Sequence, residues 1–204
     1  VNVFKATTLS AEEATAAYAK YDVVVFDRVA VPAPPQSGGV MLIAAGGWGE
    51  VAASGQELSS PTVTQWQRDH PVLRNVNLAA MRIARARALQ PGPQATALAR
   101  AGENCLIAAE QKPELRALAF GWNFLDSDLP LRIGFPVLLS NSVRWLADAR
   151  GGTRPVTVRP GELLRFAAPP EATGAQATLP DGTRRQVTVA EGQVAFTETE
   201  RVGV

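Results

Sequence analysis

The sequence predicts an α/β domain with a doubly wound sheet, followed by a small all-β module. Three observations predict it. Ser10 and Glu13 form a capping box before an Ala-rich helix. Two continuous apolar runs, Asp22–Asp27 and Val40–Ala44, follow that helix. Beyond Gly151-Gly152 the texture changes to short strands punctuated by Pro-Gly and Asp-Gly turns.

The helix runs from the capping box to about Lys20. Asp22-Val23-Val24-Val25-Phe26-Asp27 is the kind of uninterrupted apolar run found in a parallel strand covered on both faces. A Pro-rich turn, Pro32 to Pro35, and the pair Gly38-Gly39 lead into Val40-Met41-Leu42-Ile43-Ala44, a second such strand. Val1 to Phe4 reads as a weak strand ahead of the helix. A helix followed by two buried strands points to a doubly wound sheet.

The middle of the chain is less regular. Gly46-Gly47-Trp48-Gly49 reads as a loop, and Thr62 to Trp66 alternates like an exposed strand. Ile83 to Leu89, Ala95 to Ala101, Cys105 to Ala109 and Leu115 to Phe120 read as strands of hairpins or a meander. The turns between them are Pro91-Gly92-Pro93, Gly102-Glu103-Asn104 and Lys112-Pro113. Residues 79–89 are open to a second reading, since Ala and Arg both favour helix. Asp128 is expected to cap a helix from Leu129 to about Ala149, ended by Gly151-Gly152, with Leu131, Phe135, Val137, Leu138, Leu139, Val143, Trp145 and Leu146 as its broad apolar face.

The domains expected are therefore 1–150, α/β, and 153–204, a small β module. Its strands are Val156–Val158, Leu163–Phe166, Ala175–Leu179, Gln186–Val189 and Gln193–Phe196, turning at Pro160-Gly161, Pro180-Asp181-Gly182 and Glu191-Gly192. About fifty residues is close to the lower limit for an independent core. The chain opens without Met and stops at Arg201-Val202-Gly203-Val204, which reads as mid-strand, so it is expected to be a truncated piece of a longer protein.

Composition narrows the function classes. A hydrophobic fraction of 46% and a charged fraction of 19% belong to a globular protein rather than a disordered tail. Net charge is +1, and the cations are nearly all Arg spread along the chain, with Lys only at 5, 20 and 112. That distribution argues against nucleic acid as a partner. No apolar run reaches bilayer length and no signal peptide opens the chain, so this region reads as soluble. Oligomeric state is not legible.

Candidate chemistry is sparse. The chain holds one Cys, Cys105, and one His, His70. They offer a thiol nucleophile and a base, but Cys105 opens the apolar run Leu106-Ile107-Ala108-Ala109 without the small-residue turn a nucleophile needs. A buried strand residue is the reading of Cys105, and a turn-forming His beside Pro71 that of His70. Asp126-Ser127-Asp128 holds too few ligands for a cation cage. Gly46-Gly47-Trp48-Gly49 has neither the spacing of a dinucleotide fingerprint nor the Lys-Ser/Thr pair of a phosphate loop. Catalytic, cofactor and metal residues are thus all expected to be none. A cleft near Trp48 and Asp27 at the strand ends is a place for a small ligand or carbohydrate.

The order of these segments is similar to a known group. Tyr21–Asp27, the Pro-rich link to Gly38-Gly39, Asp69-His70-Pro71-Val72, and Asp126–Arg132 through Phe135-Pro136 to Asn141 and Trp145 carry the likeness. Together they resemble the glutamine-amidotransferase-like (class I) region of bacterial membrane proteins with a von Willebrand factor A domain, related to the aerotolerance (Bat-type) proteins. The likeness covers about residues 1 to 150. It implies a flavodoxin-like α/β fold, a membrane-anchored bacterial parent and other membrane or envelope proteins as partners. It does not bring activity. The strand that should lead to a nucleophilic Cys leads to Ala45-Gly46-Gly47, and the only His precedes the only Cys. A non-catalytic interaction or scaffolding domain, a pseudoenzyme, is therefore expected. The alternatives are a thiol hydrolase or amidotransferase-like enzyme using Cys105 and His70, and a small-ligand domain.

Overall fold

The computed structural model describes residues 10–48, 50–150, 159–168, 172–190, 193–197 and 199. The chain divides into two compact units, Val1–Gly152 and Thr153–Val204. Val1–Phe4, Gly49, Gly151-Gly152, Val156–Val158, Glu191-Gly192 and Arg201–Val204, each given a role above, lie outside the described residues.

The first unit begins with helix α1, Ala11–Lys20, closed by the reciprocal Ser10–Glu13 capping box. Strands β1, Val23–Asp27, and β2, Gly38–Ile43, follow and pair in parallel. Then come β3, Val51–Ser59; β4, Gln65–Trp66; β5, Arg85–Pro91; β6, Ala95–Ala101; β7, Asn104–Gln111; and β8, Leu115–Phe120. Two 3-10 turns, Phe124–Asp126 and Leu129–Leu131, lead to helix α2, Gly134–Ala147.

All eight strands join one sheet, in the order β1-β2-β8-β7-β5-β3, with β4 on β6 and β6 on β7. Only β1, β2 and β8 run parallel; every other pairing is antiparallel. This corrects the expected fold. The unit is not a flavodoxin-like, class I glutamine-amidotransferase-like α/β fold. It is a strand-rich mixed sheet with two α-helices among the described residues. The connection from β2 to β8 runs through five strands rather than a crossover helix. Hairpin turns at Gly102-Glu103 and Pro113-Glu114 join β6, β7 and β8 into a meander, which short connections can only make antiparallel.

Side chains alternate across the sheet and build a core on each face. On β2, Met41 and Ile43 enter one core, which α2 covers with Leu138, Trp145 and Leu146. Val40 and Leu42 enter the other, which α1 covers with Ala14 and Tyr18. β2 is consequently buried at every residue. β1 is not: it is the sheet's edge, and Val25 is 49% exposed, so its apolar run does not reflect burial on both faces.

Further expectations are corrected or settled. β3 was not expected: Val51–Ser59 lacks strong strand residues and is held by pairing with β5, across a register shift that accompanies Gly55 at φ +81°. The exposed strand expected over Thr62–Trp66 shrinks to Gln65–Trp66. Residues 85–91 are strand, which settles the open reading of 79–89 against helix. The helix expected to start at Leu129 begins at Gly134, because Pro136 has no N–H and its ring opposes an earlier turn. Starting at Gly134 puts Pro136 in the first turn, where N–H groups lack helical partners anyway. Asp128 caps nothing there. Its carboxylate holds Arg132 at 2.7 Å and accepts the Arg82 N–H.

The second unit is an antiparallel sheet of β9, Leu164–Ala167; β10, Gly174–Thr178; β11, Arg184–Ala190; and β12, Gln193–Phe196. The order β10-β11-β12-β9 is that of a Greek key. Its turns use glycines at positive φ, Gly161 at +86° and Gly182 at +83°. Ala175, Ala177, Val187, Val189, Val194 and Phe196 are half-buried and their neighbours exposed, so one face is apolar and the other polar.

Candidate functional site

The thiol and the imidazole do not meet. Cys105 lies on β7 in the core covered by α1. His70 lies against Trp145 of α2, ring centroids 5.3 Å apart, on the opposite face of the sheet. His70 caps the 3-10 turn Pro71–Leu73 with Nδ1 accepting the Val72 N–H. Burial, and then the nearby Arg116 guanidinium, push its pKa down, favouring the neutral imidazole. Cys105 is 2% exposed, and burial pushes its thiol up to about 11. The folded value exceeds the ordinary 9.0, so the thiol's contribution to stability is complete below the unfolded value and drains away as pH rises toward 11. A thiol reagent at pH 8 should modify native protein at less than about a hundredth of its rate on the urea-unfolded chain. Comparable rates would overturn the burial argument.

Asp126 and Asp128 each stand beside an arginine, Asp128 hydrogen-bonded to it and Asp126 not. Asp126 stands 3.7 Å from Arg85 and Asp128 2.7 Å from Arg132. Arg132 holds the Asp128 carboxyl below its usual range. Among the described residues, no group of three or more His, Cys, Asp or Glu is arranged to hold a metal. Trp122 and Trp145 are core, while Trp66 is half-buried beneath Arg68, whose guanidinium carbon is 4.5 Å from the ring centroid.

The residues with functional potential gather where β2 and β8 end. The chain leaves β2 through Ala44, held at φ +49°, whose N–H donates to the Phe120 carbonyl. It leaves β8 through Gly121, wedged between β5 and β7: Arg87 N–H donates to the Gly121 carbonyl and Gly121 N–H to that of Leu106. A concavity of about 440 Å³ opens beside these ends, with Ala44, Ala45, Arg85, Arg87, Glu57 and Asp126 in its wall. Neither Trp48 nor Asp27, named from the sequence, lines it. Asp27 is instead paired with Arg28 at 3.1 Å.

Beyond Gly121 the chain is pinned but leaves large apolar side chains outside. Ser127 and Ile83 form a bridge, Ala84 N–H donates to Asp126, and Arg132 donates to the carbonyls of Ala79 and Ala80. On this braced segment Leu125 is 76%, Leu131 90% and Ile133 93% exposed. A shallow groove of about 580 Å³ runs beside Leu125, between Arg82 and Asp126. Sequence periodicity hid Leu131, because it assigned that residue to the apolar face of a helix that starts only at Gly134.

A family model described as a domain of unknown function (DUF8816) matches residues 156–204, the β module alone. No curated protein matches the chain. Among solved structures it is similar to the cytoplasmic protein STM3548 from Salmonella typhimurium, with a TM-score of 0.53 at 10% identity, over 66% of this chain and 75% of that one. It is also similar to the cytoplasmic protein STM1381 from Salmonella typhimurium LT2, with a TM-score of 0.51 at 11% identity, over 67% and 75%. Identities this low speak for a shared fold and nothing more. Among the described residues, no helix is long and apolar enough to cross a membrane.

Proposed function

We propose that this chain is a non-catalytic protein-interaction domain whose contact surface is the braced segment from Leu125 to Ile133. The observation that carries the proposal is the exposure of Leu125, Leu131 and Ile133 on backbone fixed by hydrogen bonds. Exposing each such side chain forgoes about 2 kcal/mol of burial, and a rigid segment that does so three times over suits a partner that supplies the burial. Arg82, Asp126 and Asp128 line the groove beside Leu125, so a partner with an apolar centre and a rim carrying both charges fits best. The separation of Cys105 and His70 supports a role without thiol chemistry. The likeness of segment order to von Willebrand-associated envelope proteins supports a membrane-anchored bacterial parent with envelope proteins as partners. The fold which that likeness implied is not found, so only the biological setting is retained.

The test is site-specific photocrosslinking in cells that make the intact protein. A photoreactive residue at position 131 should give a discrete crosslinked partner, and the same residue at Glu12 on α1 should not. The pair Leu131→Asp and Ile133→Asp should reduce capture of that partner at least about fivefold, since a buried charge at an interface costs more than 1 kcal/mol. Thermal stability should be unchanged, because neither side chain is packed. Equal crosslinking at both positions would sink the proposal.

A further inference from the structure

The concavity at the ends of β2 and β8 goes beyond a protein-contact role and does not depend on it. Two guanidinium groups stand in its wall, Arg85 and Arg87, on one side of β5. Each has a carboxylate nearby, Asp126 at 3.7 Å from Arg85 and Glu57 at 3.6 Å from Arg87. Those separations exceed hydrogen-bond length, and neither side chain donates a hydrogen bond among the described residues. Arg85 remains 80% and Arg87 51% exposed. The carboxylates therefore neutralise the arginines loosely while leaving their donors unused.

The backbone adds donors of its own. Ala45, Trp122 and Asn123 all line the concavity, and their N–H groups have no acceptor among the described residues. Ala45 follows the left-handed Ala44, and Trp122 and Asn123 follow Gly121, so the unused N–H groups come from the carboxyl ends of two parallel strands. In open α/β sheets ligands bind beyond the carboxyl ends of the parallel strands, and the parallel pair β2 and β8 presents two such ends here. Unpaired N–H groups in such turns form anion-binding nests. Ala53, Leu58 and Leu89 supply an apolar wall. A volume of about 440 Å³ exceeds what a bare inorganic ion fills.

We infer that this concavity binds a small organic molecule through an oxyanion, its carboxylate or phosphate lying against Arg85, Arg87 and the free N–H groups while its carbon body meets the apolar wall. Each guanidinium has donors beyond the edge that faces its carboxylate, and an oxyanion is the group that satisfies guanidinium forks and backbone N–H together.

The experiment is a nitrogen–proton NMR titration of the 204-residue chain with inorganic phosphate and, separately, acetate, at constant ionic strength against sodium chloride. Saturable shifts confined to Ala44–Ala45, Arg85–Arg87 and Gly121–Asn123, with Kd of about 1–10 mM for the bare anion, are expected. Phosphate alone acting assigns a phosphate ester, acetate alone a carboxylate, and both a site for either. Arg85→Gln should weaken binding about tenfold, and because that side chain is solvent-exposed the variant keeps the fold. Shifts that neither anion saturates, shifts that saturate elsewhere, or a variant that binds as wild type would each overturn the inference.

Discussion

Replacing Gly39 with alanine should destabilise the first unit by about 3 kcal/mol, at the upper end of ordinary overpacking. A Cβ on Gly39 would stand 2.5 Å from the Leu146 carbonyl oxygen, 2.7 Å from its carbonyl carbon and 2.8 Å from its Cβ. Those atoms belong to the body of α2, not to the end of a flexible side chain, so relief requires moving the helix off the sheet. Such a move opens the core that Leu138, Trp145 and Leu146 close over Met41 and Ile43. Urea denaturation followed by tryptophan fluorescence measures it, since Trp145 lies in that contact. A loss below about 1 kcal/mol would show that α2 does not depend on the bare backbone of Gly39.

Phe120→Ala should cost about 4 kcal/mol, in the range of large-to-small changes at buried aromatics. Phe120 is 1% exposed and meets Trp122 and Phe124 edge to face, centroids 5.7 and 5.0 Å away. Phe124 in turn meets Phe135 of α2 at 5.6 Å. The four rings tie the end of β8 to the start of α2 and so fix the segment between, which carries Leu125, Leu131 and Ile133. The variant should therefore lose crosslinking from position 131 along with stability. Full crosslinking in a destabilised variant would separate the contact surface from the ring cluster. Near-ultraviolet circular dichroism reports the rings directly.

Both outcomes depend on particular residues whose roles the sequence discloses unequally. In sequence Gly38-Gly39 is only the lead-in to the run Val40–Ala44, yet Gly39 is a strand residue whose missing side chain lets a helix approach. Nothing local in Gly39 signals Leu146, more than a hundred residues away. The ring cluster is likewise assembled from β8, a 3-10 turn and α2. The exposed Leu131 was legible as an apolar residue and not as a surface one, because periodicity assigns a face only when the helix boundary is right.

What the sequence determined by itself was local. It contained the Ser10–Glu13 capping box, the apolar run of β2, the meander from Ala95 to Phe120 and the Pro-Gly and Asp-Gly turns of the second unit, each decided by backbone preferences within a few residues. It also contained the isolation of Cys105 in an apolar strand. The tertiary structure decided strand direction and order, the pairing that makes β3 a strand, the opposite placement of Cys105 and His70, and the gathering of Arg85, Arg87 and free N–H groups beside Ala45. The physical reason is that sheet order and site geometry come from hydrogen bonds and packing between distant segments. Those energies depend on which faces meet, and no single segment records that.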